Sequence, residues 1–289
     1  MYHCYSPGRF LRLLVLDAVI FSVCALCFLV GKTVMTFAGS ISGQPVRLPV
    51  IMYHSVGGNV PSEYVVTPVQ LEDDLRWLKD HGYTSVTARQ ICSYAGGHGS
   101  LPDKPVLITL DDGFYSSLSV LLPLLEKYDM YAVVSVVGKY TEVNAAADPH
   151  NTLYSYLTWE DILELAESGR VEIGNHTYDM HSLSPRRGCS QTAGESDEDY
   201  TASFREDTAA MQYALHEHTG MMPFVFAYPF GSVSPAGLPV LREEGILMTL
   251  TCREQVNTLT RDPGCLYGIG RINRSGLLST EEYMSKIEE

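Results

Sequence analysis

Segments that favour β-strand alternate with segments that favour α-helix along most of the chain. Apolar, strand-like runs occur at residues 48–53, 106–110, 131–137, 171–174, 224–228 and 246–251. Amphipathic stretches lie between them, such as the one that places Leu71, Leu75 and Leu78 at helical spacing. Thr67-Pro68-Val69-Gln70, just before it, reads as a capping box with proline at the first helical position. This alternation predicts parallel strands covered by helices, with functional sites at the carboxyl ends of the strands.

Composition limits the classes of function. The chain has 289 residues, 45% of them apolar, which is enough to bury a sizeable core. It carries 20 Lys and Arg against 34 Asp and Glu, for a net charge of −14. This acidity argues against a nucleic-acid partner and against broad binding to anionic lipids.

The amino-terminal segment differs in kind from the rest. Residues 13–31 are apolar or small except for Asp17, which lies off-centre, so we expect the segment to insert as a transmembrane helix. Arg9 and Arg12 precede it, which predicts a cytoplasmic amino terminus. A signal peptide cleaved near the small residues at 38–40 is the alternative.

We therefore expect residues 1–40 to form a cytoplasmic stub, a membrane anchor and a short linker. The rest of the chain would be extracytoplasmic on a single-pass protein of the cell membrane. Four cysteines lie beyond the anchor, at positions 92, 189, 252 and 265. An oxidising compartment permits disulfides among them, and a pair between Cys252 and Cys265 is one candidate.

Two polar motifs follow predicted strands. Asp111 and Asp112 end the run 106–110, and His176 and His181 follow the run 171–174. The two histidines are five residues apart, so neither a helix nor a strand lets them converge, and we expect a turn. One carboxylate and two imidazoles suffice to hold a divalent metal with open positions, which leaves the other carboxylate as a base. The pattern indicates metal-assisted hydrolysis; the simpler alternatives are a capping Asp pair and two surface histidines.

Three motifs resemble those of the polysaccharide deacetylase family (carbohydrate esterase family 4, the NodB-homology domain). They are Thr109-Leu110-Asp111-Asp112-Gly113-Phe114, Gly174-Asn175-His176-Thr177 with the second histidine, and Tyr228-Pro229-Phe230-Gly231. The resemblance covers roughly residues 45–275. The five-residue histidine spacing resembles the branch that includes poly-N-acetylglucosamine deacetylases and membrane-anchored bacterial deacetylases.

The resemblance implies an α/β fold, a distorted (β/α)7-type barrel, here preceded by one N-terminal transmembrane helix. Residues 45–289 would form this domain. Asp112, His176 and His181 would bind one divalent metal ion, zinc by preference, with cobalt, nickel or iron also suited to these ligands. Asp111 would be the general base. The segment Tyr228, Pro229 and Phe230 would contact substrate, and a backbone amide near Phe230 would help to hold the oxyanion.

The chain departs from the family pattern at two points. Ala227 stands where many members carry an arginine that orients the base, and Arg271 is the candidate replacement. Family members usually carry a histidine near the end of the domain that protonates the leaving amine. This sequence has no histidine after His218, so that residue is missing. The candidate acids are His54, which ends the first strand, Asp111 returning its own proton, and water at the metal.

Together these features predict a metal-dependent hydrolase that removes N-acetyl groups from a cell-surface polysaccharide. The motifs leave open peptidoglycan, poly-N-acetylglucosamine, and xylan-like or chitin-like substrates. The alternative is a carbohydrate-binding pseudoenzyme of the same fold. The presence of both Asp111 and Asp112 disfavours it, since binding alone needs no spare carboxylate.

Overall fold

A curled sheet of parallel strands forms the centre of the computed structural model, which describes residues 44–144, 147 and 149–288. The strands are β1 Val46–Leu48, β2 Val50–Tyr53, β3 Ser55–Val56, β4 Val65–Val66, β5 Thr84–Ser85, β6 Pro105–Leu110, β7 Ala132–Val136, β8 Val171–Asn175, β9 Val225–Ala227, β10 Met248–Leu250, β11 Asn257–Leu259, β12 Tyr267–Ile269 and β13 Ile272–Asn273. The α-helices are α1 Pro68–Asp80, α2 Ala88–Ala95, α3 Leu122–Tyr128, α4 Trp159–Glu167, α5 Asp197–Thr219, α6 Gly237–Glu243 and α7 Thr280–Glu288.

The strand order shows that the sheet curls. Hydrogen-bonded strands follow one another in the order β12-β10-β9-β8-β7-β6-β2-β13, and every pair is parallel. Strand β5 also pairs with β6 in parallel, outside this order. Ile269 ends β12 and Ile272 begins β13, yet these strands lie at opposite ends of the order. Three chain steps span at most about 11 Å, so the two ends of the sheet must approach each other. The expected α/β fold of parallel strands and helices is confirmed, and the sheet forms a curled half-barrel.

Local sequence explains the elements that frame the site. Every residue of β6 is buried, as expected for a parallel strand covered on both faces. Helix α1 begins at the predicted capping box, in which Gln70 N donates to Thr67 Oγ1 at 3.1 Å and Thr67 N donates to Gln70 Oε1 at 3.0 Å. Its leucines 71, 75 and 78 face the core, as their spacing predicted.

Two predicted elements differ in detail. The leucines at positions 118, 121, 122 and 125 predict a helix after β6. The structure has a π-helical turn there, Ser117–Leu121, followed by α3. The sequence also predicts a polar surface excursion at residues 184–199 and a long helix from about residue 200 to residue 218. Helix α5 instead begins at Asp197, because the Ser196 hydroxyl accepts from Asp199 N at 3.0 Å and caps the helix earlier. The polar surface excursion therefore ends at residue 196.

A buried polar network fastens the last helix to the barrel. Arg274 follows β13 and pairs with Asp74 of α1 at 2.7 Å, with both side chains fully buried. Tyr53 and Thr280 also donate to the Asp74 carboxylate, at 2.9 and 2.7 Å. A buried ion pair whose oxygens are all satisfied in this way fixes the position of the elements that supply it.

The predicted membrane segment, residues 13–31, lies outside the described residues. Among the residues that are described, none of the helices combines the length and the apolar character needed to cross a membrane. The four cysteines beyond that segment are free thiols. Cys252 Sγ lies 3.8 Å from Met52 Sδ, whereas Cys265 Sγ donates to the Thr260 carbonyl at 3.7 Å, so the candidate pair is not formed.

Candidate metal centre and active site

The adjacent carboxylates lie where β6 ends. Asp111 N still donates to the Tyr53 carbonyl at 3.1 Å, and Asp112 then takes a φ of 71°, in the left-handed region. Gly113 follows with a φ of 74°, and a Cβ there would lie 3.0 Å from Val136 Cγ1. Glycine thus lets the chain turn tightly against β7. The turn gives the two carboxylates different partners.

Asp111 is paired with Arg271. The guanidinium donates from Nη1 to Asp111 Oδ1 at 2.7 Å and from Nη2 to Oδ2 at 2.6 Å, and both side chains are buried. Arg271 Nε donates to the Thr251 carbonyl at 3.0 Å, which fixes the plane of the guanidinium group. Burial alone would raise the pKa of Asp111, but Arg271 and the neighbouring His176 hold this pKa below its ordinary value. Asp111 is therefore ionised, and its two oxygens can only accept hydrogen bonds.

Asp112, His176 and His181 converge on one point. Their ligand atoms all lie within 4.8 Å of one another, with Asp112 Oδ1 3.1 Å from His181 Nε2 and 3.5 Å from His176 Nε2. His176 follows β8 directly, and Thr177 then adopts a φ of 73°. The chain between the histidines is a turn, as the five-residue spacing requires. Burial would raise the pKa of Asp112, but its contacts with the two imidazoles hold this pKa below its ordinary value.

The hydrogen-bond partner of His176 directs its Nε2 toward the candidate metal position. Its Nδ1 lies 2.7 Å from the carbonyl oxygen of Ala227, and a carbonyl oxygen only accepts. Nδ1 therefore carries the hydrogen, and in the neutral ring Nε2 has only a lone pair to turn toward Asp112. A lone pair facing a carboxylate is repulsive, so either a second ring hydrogen or a metal ion must lie between them. Burial would lower the pKa of His176, but Asp111 and Asp112 raise this pKa above its ordinary value, so the position attracts positive charge. Two imidazole nitrogens and one carboxylate oxygen fit a divalent transition metal.

His54 lies in the same cavity. This cavity has a volume of about 660 Å³, and its wall includes His54, both carboxylates and both metal-site histidines. The Nδ1 atom of His54 is buried and has no hydrogen-bond partner in the described part of the chain. Burial lowers the pKa of His54 despite the raising effect of Asp111 and Asp112. A neutral imidazole with an unsatisfied nitrogen is thus available to a ligand.

The third motif contributes mainly through Phe230. Its ring lies 4.7 Å from that of His181 and lines the cavity, and its backbone takes a φ of 56°. The two backbone hydrogen bonds of this turn use the amides of Gly231 and Ser232, so they do not engage the Phe230 amide. Tyr228 and Pro229 are buried and do not line the cavity. Of the three residues expected to contact substrate, only Phe230 lines the cavity.

Several neighbours of the site were not among the residues expected from sequence. Further residues of the cavity wall are Met52, Ser55, Glu63, Tyr64, Val65, Phe114, Leu183, Arg187, Cys252, Glu254 and Asn273. Tyr140 contacts His181 Nδ1 at 3.0 Å. Because Tyr140 lies just past β7, the rule that places polar residues at strand ends could have identified it. The Ala227 carbonyl has no such signal, since any residue supplies one.

Comparison with known proteins agrees with this geometry. A sequence model of the family described as "Polysaccharide deacetylase" matches residues 98–249. The matched range contains both carboxylates, both metal-site histidines and Phe230, while His54 and Arg271 lie outside it.

Individual relatives are more distant. The Bacillus subtilis (strain 168) protein YxkH, whose name carries an unconfirmed polysaccharide deacetylase assignment, is 26% identical, over 85% of this chain and 77% of its own length. The poly-β-1,6-N-acetyl-D-glucosamine N-deacetylase of Escherichia coli (strain K12) is 28% identical over 63% of this chain. The match spans only 30% of that relative's length. Among solved structures, IcaB from Ammonifex degensii has a TM-score of 0.70 at 27% identity, covering 85% of this chain and 99% of that one.

Proposed function

The chain belongs to the polysaccharide deacetylase family, and we propose that it removes N-acetyl groups from a cell-surface polysaccharide by metal-dependent hydrolysis. The observation that carries the proposal is the pairing of a candidate metal site with a second carboxylate, Asp111, that Arg271 holds in the same cavity wall. Glycan binding needs no such carboxylate, whereas hydrolysis needs a base beside the reacting atoms.

Asp112, His176 and His181 would hold the ion, with zinc the first candidate. When bound, the ion would supply Lewis-acid polarisation of the acetamide carbonyl. Asp111 would accept a proton from the attacking water, because it is ionised and both its oxygens are fixed by Arg271. The Phe230 amide would donate to the oxygen that becomes negative during attack.

The second half of the reaction needs an acid. Breaking the carbon–nitrogen bond releases acetate and a sugar amine, and the amine nitrogen must gain a proton as it leaves. His54 in its protonated form is the candidate donor, because its ring lines the cavity and its Nδ1 is buried without a partner among the described residues. Burial lowers the pKa of His54, so the protonated ring is the stronger acid and becomes neutral when it gives up the proton. Asp111 could instead return the proton that it took from water, in which case His54 would be dispensable.

We propose poly-β-1,6-N-acetylglucosamine as the substrate, on the strength of the E. coli relative's name and the five-residue histidine spacing. The test is acetate release by the purified protein, loaded with zinc, from this polymer, from peptidoglycan and from acetylated xylan. Release from the first alone is expected. Release from peptidoglycan only would keep the N-deacetylase activity and overturn the substrate. Release from acetylated xylan only would be ester hydrolysis and would overturn both.

A carbohydrate-binding pseudoenzyme is the second candidate, and the observation in its favour is the missing late histidine. The same assay separates the two. A protein that binds these glycans and zinc, yet releases no acetate from any of them, would be the pseudoenzyme.

We further propose that residues 13–31 anchor the protein in the cell membrane, with residues 45–289 forming an extracytoplasmic deacetylase domain. The support is the apolar character of this segment and the arginines before it. Amino-terminal sequencing of the mature, membrane-bound protein tests it. A mature chain that begins near Gly39 or Ser40 would show cleavage and release.

A further inference from the structure

We propose that Tyr140 is a positioning residue for the metal centre: its hydroxyl keeps the hydrogen of His181 on Nδ1, so that Nε2 offers a lone pair to the metal. The inference rests on the proposed function, in which His181 is a metal ligand. It concerns a residue that none of the three sequence motifs contains.

Two contacts of a single hydroxyl determine the tautomer. Tyr140 Oη lies 3.0 Å from His181 Nδ1 and 3.2 Å from the carbonyl oxygen of the same residue. A phenolic hydroxyl has one hydrogen, and a carbonyl oxygen only accepts. The hydroxyl therefore donates to the carbonyl, and its oxygen accepts from Nδ1. Both contacts are hydrogen bonds only when Nδ1 carries the hydrogen.

The other tautomer would close the metal site. His181 Nε2 lies 3.1 Å from Asp112 Oδ1. A hydrogen on Nε2 would form a simple hydrogen bond to that carboxylate and occupy the lone pair that a metal needs. Such a hydrogen bond competes with the metal, and Tyr140 opposes it because the exchange of tautomers would cost the hydroxyl one of its two partners.

The hydroxyl is held in place independently of the metal. Tyr140 begins a π-helical turn, Tyr140–Asn144, and its ring packs against Tyr156 with the centroids 4.6 Å apart. The residues just before it pair with the histidine turn: Gly138 N donates to the Thr177 carbonyl at 3.1 Å, and Lys139 N donates to the Tyr178 carbonyl at 2.8 Å.

The far side of the histidine turn is fixed as well. Asp207 of α5 accepts from Tyr178 N at 2.9 Å and from Asp179 N at 2.8 Å. The backbone on both sides of the Tyr140–His181 contact is therefore set by protein hydrogen bonds. Outer partners that orient a histidine ligand in this way typically contribute about 10–100-fold to metal affinity.

The test is the substitution Tyr140→Phe, which removes the hydroxyl and keeps the ring. Zinc affinity is measured by competition with a chromogenic chelator, and the Nδ1 protons of zinc-loaded protein are observed by NMR of ¹⁵N-labelled histidine. The matched control is Tyr178→Phe, which removes a hydroxyl from the same turn whose partner is Glu142 and not a metal-site residue.

We expect Tyr140→Phe to bind zinc about 10–100-fold more weakly. The His181 Nδ1 proton should shift and exchange faster with solvent, while that of His176, held by Ala227, stays unchanged. Tyr178→Phe should match the wild type in both readouts. A zinc affinity within about threefold of the wild type, with an unaltered His181 signal, would overturn the inference. Loss of both histidine signals would overturn it too, because it would show that the substitution disturbs the whole histidine turn and not the His181 tautomer. A wild-type protein that binds no zinc would instead overturn the proposed metal site.

Discussion

At the scale of single residues, the pairing of Arg271 with Asp111 sets the chemistry of the cavity. A buried carboxylate would ordinarily favour its protonated form, and here a buried guanidinium with two parallel hydrogen bonds favours the ionised form instead. Arg271 stands between β12 and β13, where the two ends of the curled sheet approach. The residue that fixes the proposed base therefore lies at the seam of the barrel.

Replacing Arg271 by lysine should separate charge from geometry. Lysine keeps the positive charge but cannot make two parallel hydrogen bonds to a carboxylate. We expect the rate of acetate release to fall about 10²-fold, the usual effect of misplacing a reacting group, with zinc stoichiometry unchanged. Arg205→Lys, on the exposed face of α5, is the control. Wild-type turnover in Arg271→Lys would remove this residue from the mechanism.

His54 is tested by truncation. If it protonates the departing amine, His54→Ala should lower turnover by about 10²–10⁴, the usual contribution of a positioned acid. The measurement is the rate of acetate release at saturating glycan, with circular dichroism to verify the fold. A loss of less than about threefold would leave Asp111 as both base and acid.

At the scale of elements, the loop after the metal-site turn shapes the cavity wall. Residues 182–196 contribute Leu183 and Arg187 to the wall. The loop is closed on itself by Arg186, which donates to both oxygens of Glu195, and by Thr192 N, which donates to Glu195 Oε2 at 2.8 Å. The hydrogen bonds from Arg186 lower the pKa of Glu195 to about 2.

The stability that the hydrogen bonds to Glu195 give the folded protein should depend on pH. Because the pKa of Glu195 is lower in the folded protein than in the unfolded chain, the stabilisation is complete above the unfolded pKa and is lost as the pH falls toward about 2. We expect Glu195→Gln to be less stable than the wild type by about 1 kcal/mol at pH 7, with a smaller difference at pH 3. Urea unfolding at the two pH values measures this. An equal difference at both would show that the carboxylate charge contributes nothing.

Elements with a local cause could be predicted from the sequence. The capping box at Thr67 and Gln70 and the buried strand β6 are encoded within a few residues, and both are present. Helix α2 was not predicted, although Thr87 and Gln90 form the same kind of box and the buried residues 88, 91 and 95 recur at helical spacing. The pattern is present but extends over only eight residues. The antiparallel pair of β1 and β11 joins segments about 200 residues apart, so no local pattern could reveal it.

At the scale of the whole molecule, the barrel assembles the candidate site from distant parts of the chain. Residues just past predicted strands were expected to open on one face, namely Asp111, Asp112, His176, His54 and Pro229. The first four line one cavity, and Pro229 does not. The contact between Arg271 and Asp111 joins positions 160 residues apart and was suggested only by family resemblance. The tautomers of the histidines depend on partners from other strands and could not be predicted from the sequence.

The central claim is that Asp111 acts as a base beside a metal held by Asp112, His176 and His181. The most direct test is the Asp111→Asn variant, assayed for acetate release and for zinc per chain in the same preparation. Asparagine keeps the size of the side chain but cannot accept the proton at neutral pH. We expect no acetate release above background, with one zinc per chain as in the wild type. Wild-type acetate release from Asp111→Asn, with its zinc retained, would contradict the claim.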